Sequence, residues 1–312
     1  MIKWIRTLML LCCLQTAALA QNGDVRLVFV GDVMLDEVPG ELIRRGQNPF
    51  RYFHELFKSA DVNIANLECY VGHAKVKEKK PYTFKAHPRV LKPLSQYFQV
   101  VSLANNHTGD YGDVAFGSML DTVARAGLKI AGGGKDLRLA HEPVFLDKEK
   151  RIALLAYDAF LPRSFESLDD RPGVAWADPD FIAQDIRRAK THYKAEYVIV
   201  MPHWGWEYEP IASPDQVRLA HFMLDQGADA VVGGHPHVTQ NIEIYKNKPI
   251  FYSLGNFVFN GFDDEDTNTG WALELVIGKN LQVSWQVHVA KLDKHGIPHR
   301  AGSLPPVTLP PL

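Results

Sequence analysis

Short apolar runs, each closed by a cluster of polar residues, recur along the chain. Residues 26–30 predict a strand that ends in Gly31-Asp32-Val33-Met34-Leu35, and residues 61–67 predict a second ending in Asn66-Leu67-Glu68. Residues 100–103 lead into Asn105-Asn106-His107-Thr108-Gly109-Asp110. The runs 128–131, 151–157 and 197–201 continue the series, and the last delivers Pro202-His203-Trp204-Gly205-Trp206-Glu207. Residues 231–232 then run into Gly233-Gly234-His235-Pro236-His237. Apolar runs of this length, bounded by turn-forming residues, are the signal of buried strands.

Between these runs the apolar residues recur at helical spacing. Helices are predicted over 49–58, with Phe50, Phe53, Leu56 and Phe57 on one side, and over 89–97, 111–126, 181–193 and 213–226. The last opens on Ser213-Pro214-Asp215-Gln216, a capping box with proline in the first turn, and is stopped by Gly227. Four closely spaced strand-like runs follow, 241–245, 249–254, 271–277 and 281–292, and predict antiparallel or mixed pairing. Strands alternating with helices give an α/β fold. With no internal repeat and no linker, a single domain over 21–302 is expected, then an irregular proline-rich tail, 303–312.

The first twenty residues follow another pattern. Lys3 and Arg6 precede the apolar run 8–14, and Ala18-Leu19-Ala20 supplies small residues for cleavage. This is the layout of a secretory signal peptide, and the run is too short to span a bilayer comfortably. Cleavage after Ala20 would make the protein secreted or periplasmic and take the formal charge from −2 to −4. It would also leave Cys69 alone, excluding an intramolecular disulfide. A mildly acidic chain with no dense basic face argues against nucleic acid as the main partner. No later segment is long and apolar enough for an integral membrane span.

Two other segments have two readings each. The polar loop 70–88 carries Lys75, Lys77, Lys79 and Lys80, either as a solvated run or as a flap that meets an anionic substrate. The irregular stretch 163–179 is a lid or a surface loop. Gly132-Gly133-Gly134 lacks the phosphate-loop pattern and reads as a tight turn.

The strand ends hold the chemistry. Asp32, Glu68, Asn106, His107, His203, His235 and His237 are oxygen and nitrogen donors that each follow an apolar run, which is where α/β folds assemble sites. His235 and His237 would share a face if their backbone stayed extended. So many donors suit a pair of divalent ions, with a carboxylate between them to offset their repulsion. Mixed imidazole and carboxylate donors suit manganese, iron or zinc equally.

The blocks GDVML, NLE, LANNHTGDYG, PHWGWEY, GGHPHV and SLGNFVF, in that order over residues 26–259, resemble the CapA-type capsule-synthesis proteins, also described as poly-γ-glutamate synthesis proteins. That family is related to the calcineurin-like metallophosphatases. The resemblance implies a four-layer α/β/β/α sandwich with mixed sheets and the site between the two sheets. It implies Asp32 and His237 as ligands of a first metal, Glu68 in the bridging position, and Asn106, His203 and His235 as ligands of a second. His107 would protonate the leaving group or stabilise the transition state, so Asp32 and His107 would carry catalysis. Asn66, Asn105, Trp204, Glu207 and Asn256 would support the ligands or touch substrate. The chain departs from the metallophosphatases at two points. It reads Asp32-Val33-Met34 where they carry Asp-x-His, and it has Glu68 where they carry a bridging Asp.

The function these features imply is a secreted, metal-dependent hydrolase that uses metal-activated water on an anionic envelope or capsule polymer such as poly-γ-glutamate. The alternatives are a conventional metal-dependent phosphoesterase, or a non-catalytic polymer-binding or assembly factor that uses Trp204, Trp206 and the lysine loop.

Overall fold

The computed structural model describes residues 23–147, 151–160 and 163–311. The expected signal peptide, residues 1–20, lies outside them. The strand Val25–Val33 shows how the layers form. Leu27 and Phe29 join one apolar cluster, and Val28 and Val30 join another on the opposite face. A strand buried on both faces reads as a continuous apolar run, as parallel strands between covering layers do.

Val25–Val33 lies beside Val62–Leu67, Val100–Ser102 and Lys129–Ala131, all parallel. On its other side the sheet turns antiparallel through Thr269–Ile277, Val283–Leu292 and Pro298–Ser303. The second sheet is built around Tyr197–His203, flanked in parallel by Ile152–Asp158 and Ala230–Val232. Lys248–Phe251 continues it in parallel, and Ile242–Tyr245 and Val144–Phe145 close its edges antiparallel. The late strands are therefore mixed, as expected, but they divide between the two sheets.

Leu27, Phe29 and Ile64 of the first sheet meet Leu154, Ile199 and Val232 of the second in one buried cluster. The helices Glu37–Arg44, His54–Ser59, Leu91–Tyr97 and Asp113–Arg125 cover the outer face of the first sheet. Pro179–Thr191 and Pro214–Asp225 cover the second. The result is the α/β/β/α order of layers.

The capping box forms as read: the Ser213 hydroxyl accepts from Gln216 N, and the Gln216 side chain accepts from Ser213 N. The helix Glu37–Arg44 has no counterpart in the sequence reading, because Pro39 inside its first turn reads as a breaker, although a helix tolerates proline there. Gly133–Gly134 pairs with Gly173–Val174 as a short antiparallel ladder, so the glycine run tethers the segment 163–179. In the tail, Val307–Thr308 pairs with Val283–Leu292, so that stretch is not wholly irregular.

Candidate metal centre

Every donor singled out at a strand end arrives at one edge of the two sheets. Asp32 ends the run Val25–Val33, Glu68 follows Val62–Leu67, and Asn106 and His107 follow Val100–Ser102. From the second sheet, His203 ends its strand, and His235 and His237 follow Ala230–Val232. Strand register sets Asp32 beside Asn66 on one side and beside Asn256 on the other.

Glycines allow this crowding. A Cβ on Gly31 would stand 1.8 Å from Gly255 O, and one on Gly234 would stand 2.8 Å from Asp32 Oδ1. The backbone at the two histidines is not extended. His235 has φ of 99° and His237 has φ of 58°, values that non-glycine residues adopt at a cost of roughly 1–3 kcal/mol each. The reading that both imidazoles share one face by strand alternation is corrected here. The left-handed turns send them to different partners.

Among the described residues, two groups of side chains bring ligand atoms within 4.8 Å of one another: Glu68, His203 and His235, and Asp32, Glu68 and His237. Glu68 belongs to both. In the first group, His203 Nε2 lies 3.1 Å from His235 Nδ1 and 3.7 Å from Glu68 Oε1. Asn106 Oδ1 joins it, 2.9 Å from His203 Nε2. In the second, His237 Nδ1 lies 3.5 Å from Asp32 Oδ2, and His237 Nε2 lies 3.9 Å from Glu68 Oε1. Donor atoms that share one ion at ~2.0–2.2 Å sit roughly 3–3.5 Å apart, so these spacings fit.

The electrostatics fit as well. Glu68 is 0% exposed, and its Oε1 has no hydrogen-bond partner. Burial first, and then the Asp32 charge, push its carboxyl well above the ordinary range. Burial holds His203 and His235 well below the usual imidazole value, so both are neutral and able to ligate. Burial would lower His237 too, but the hydrogen bond and charge of Asp32 outweigh it and the net shift is upward. An uncompensated buried carboxylate costs several kcal/mol, and the neutral His203 and His235 do not cancel the charge of Glu68. Divalent cations would, and the donor set fits them.

The residues expected to support the ligands divide. Asn66 Nδ2 donates to Asp32 Oδ1 at 2.8 Å, and Asn66 Oδ1 accepts from Asn105 Nδ2 at 2.9 Å. Asn105 Oδ1 in turn accepts from the backbone of His107 and Thr108. Asn256 Oδ1 lies 2.9 Å from His237 Nδ1 and, being an acceptor, fixes the proton there and leaves Nε2 free. Glu207 is half-buried, and its charge helps raise both Glu68 and His237. Trp204 corrects the substrate-contact half of that expectation. It is 1% exposed, packs in the helix-side cluster of the second sheet, and donates Nε1 to Tyr252 O, so it offers no surface to a substrate. Among the described residues, Trp206 and Tyr208 are aromatics exposed near this edge.

Three further contributors carry little signal in the sequence. Asp110 is 0% exposed and accepts from Lys80 Nζ at 2.6 Å and from Phe84 N at 2.7 Å, with His107 Nδ1 at 2.9 Å. Its spacing three residues after His107 is its one trace in the sequence. Lys80 also donates to Asn106 O at 2.6 Å, so the loop 70–88 is pinned to the site. Phe160 packs on His235 with ring centroids 4.0 Å apart. Burial lowers His107 despite the opposing pull of Asp110.

Comparisons with known proteins place the chain among its relatives. The family model for the bacterial capsule synthesis protein PGA_cap matches residues 26–261. The PGA biosynthesis protein CapA of Bacillus subtilis (strain 168) is 36% identical over 241 residues, which are 74% of this chain and 62% of that protein. The capsule biosynthesis protein CapA of Bacillus anthracis is 34% identical over 254 residues, covering 77% of this chain and 61% of that one. A probable polyglutamine synthesis accessory protein of Mycobacterium tuberculosis (strain ATCC 25618 / H37Rv) is 32% identical over 213 residues, 64% of this chain and 56% of that one. The chain thus spans about three fifths of the length of the curated relatives it matches. The solved structure of TT1561 of Thermus thermophilus aligns over 80% of this chain and 93% of that one, at 12% identity and a TM-score of 0.44.

Proposed function

Because the chain belongs to the PGA_cap family of bacterial capsule synthesis proteins, we propose that it serves capsule or poly-γ-glutamate synthesis as a metal-dependent hydrolase acting on an anionic envelope polymer. The observation that carries the reading is Glu68, fully buried between two donor groups with one oxygen lacking any hydrogen-bond partner. In this reading Asn106, His203 and His235 hold one ion, Asp32 and His237 hold another, and Glu68 lies between. Bound divalent ions would polarise the scissile group and lower the pKa of an attacking water.

The chain's own residues supply the rest. Asp110 accepts from Nδ1 of His107 and would stabilise the imidazolium, the form in which Nε2 carries a proton for the leaving group, against the burial that favours the neutral ring. Phe84 packs its ring 4.5 Å from the imidazole, which limits its motion and its exposure to water. Asn66 and Asn105 hold Asp32 and the His107 backbone in one connected network. The leader pattern of residues 1–20 supports the part of this proposal that puts the activity outside the cytoplasm.

The test is the metal content of the purified protein and of His235→Ala after exposure to manganese, iron and zinc, alongside the size distribution of poly-γ-glutamate incubated with each. The reading expects about two equivalents in the parent protein, one largely lost in the variant, and metal-dependent shortening of the polymer. Metal without shortening turns the reading toward a polymer-binding or assembly factor. Cleavage confined to a simple phosphate ester turns it toward a phosphoesterase, and no metal under any condition overturns it.

A further inference from the structure

We propose that the groove between residues 70–76 and the helix Asp113–Arg125 is a track for a carboxylate-bearing polymer, and that Lys75, Lys77 and Lys79 bind its carboxylates along the way to the metal centre. The inference rests on the polymer reading above and names the surface that does the binding.

The groove has a volume of about 490 Å³ and is floored by Tyr70, Val71, Tyr111 and Ala115. Val76 and Val114, 82% and 80% exposed, add apolar surface at its rim. Single exposed apolar residues are ordinary, but two lining one groove whose floor is also apolar make a continuous surface. Beside it runs the most cationic stretch of a chain whose net charge is −2. Residues 70–88 hold Lys75, Lys77, Lys79, Lys80 and Lys85 against the single acid Glu78.

Two of these lysines are occupied by the fold. Lys80 is bonded to Asp110 and to Asn106 O, and Lys85 donates to Ala74 O while lying over the Tyr111 ring. Lys75, Lys77 and Lys79 are exposed, and among the described residues none of them enters an ion pair. Lys75 lines the groove itself, and Lys77 and Lys79 follow it along the same exposed loop, an arrangement complementary to a chain that alternates methylene segments with carboxylates. The methylenes lie on the apolar floor, and the carboxylates reach the lysines, which act as point charges.

The loop also supplies direction. Its start follows Glu68 by two residues, and Lys80 pins its far part to Asn106, whose amide oxygen is 2.9 Å from His203. A polymer held along the loop would lie on the segment that joins Glu68 to the Lys80 contact with Asn106. The competing cationic cleft, about 470 Å³ and lined by Arg138, Arg187 and Arg188, lies in the outer helix layer of the second sheet. Arg188 there is already engaged by Glu142 and Asp185, and the cleft contains none of the metal donors.

The experiment measures binding of labelled sodium poly-γ-glutamate, at low and physiological salt, to the metal-loaded and metal-free protein. Two variants are compared: Lys75→Glu/Lys77→Glu/Lys79→Glu, and Arg138→Glu/Arg187→Glu in the competing cleft. All five positions are exposed, and metal content and circular dichroism check the fold. The lysine variant is expected to bind roughly tenfold more weakly, with less dependence on salt, while the arginine variant binds like the parent. Equal binding by the lysine variant, or loss confined to the arginine variant, overturns the track and leaves the polymer reading standing. Absence of binding by the parent in both metal states overturns the polymer reading itself.

Discussion

The two donor groups that share Glu68 are built from different chemistry. The His203 side offers two imidazoles held neutral by burial and the amide oxygen of Asn106. The Asp32 side offers a second carboxylate and one imidazole, and that imidazole is held toward its protonated form by Asp32 itself. Where the metallophosphatases that the sequence resembles carry another histidine, this chain has Met34, which is fully buried in the helix-side apolar cluster. Apart from the shared Glu68, the imidazoles of the His203 side are therefore ready to bind a metal, whereas the imidazole of the Asp32 side must release a proton first. The difference predicts unequal ions at the two positions: nitrogen-rich donors suit zinc, and carboxylate-rich donors suit manganese.

The strongest way to break the comparison is to remove what the two sides share. Glu68→Gln should abolish metal retention on both, a loss beyond the roughly 10–100-fold that follows removal of a supporting partner. The same change should stabilise the metal-free protein by about 1–3 kcal/mol where Glu68 is ionised, since it replaces a buried charge with a neutral amide. The sign with pH is fixed. Glu68 is raised in the folded state, so its contribution falls as pH rises above the unfolded carboxyl value, and the gain from glutamine grows with pH. Thermal melts of the metal-free proteins at pH 6 and pH 8 check it, and a destabilised variant at pH 8 would contradict the picture of an uncompensated carboxylate.

Next in size come changes confined to one side. His235→Ala should leave one equivalent that favours manganese, whereas Asp32→Asn should leave one that favours zinc. Competition between the two metals, followed by elemental analysis, reads the outcome. Identical losses in the two variants would mean that the two groups act as one.

Much of this is open to inspection in the sequence, and the exceptions have physical causes. Parallel strands buried on both faces write themselves as apolar runs, so Asp32, Glu68, Asn106, His203 and His237 can be collected from strand ends. Trp204 cannot serve as a substrate surface, which sequence misses because residue type does not reveal which side of a strand end meets the core. Asp110 escapes notice because its partners Lys80 and Phe84 come from a loop some thirty residues away, and only tertiary contact brings them together. The left-handed turns at His235 and His237 are hidden for a related reason: non-glycine residues rarely adopt them, and here they are imposed by the contacts around them.

A finer test sharpens the contrast in protonation. Metal binding should displace on the order of one proton, from Glu68 and His237, and none from His203 or His235. Calorimetry in buffers of different ionisation enthalpy measures that number. Asp32→Asn should lower it, because Asp32 is the charge that raises both titrating groups, while His235→Ala should leave it nearly unchanged. Apparent affinity should fall as pH is lowered, more steeply on the Asp32 side.

The smallest effect is expected from Gly234→Ala. An added Cβ would stand 2.8 Å from Asp32 Oδ1, with the next closest atoms 3.8 Å or more away. The obstructed atom is the end of a side chain, so the backbone need not move and the fold should survive. Asp32 must turn instead, away from Asn66 Nδ2, which donates to that same oxygen. The Asp32 side should then lose roughly tenfold in metal affinity, comparable to losing a supporting hydrogen bond, while the His203 side keeps its ion. Equal weakening on both sides would show that Glu68 moves with Asp32, and the two groups would then have to be treated as a single coupled centre.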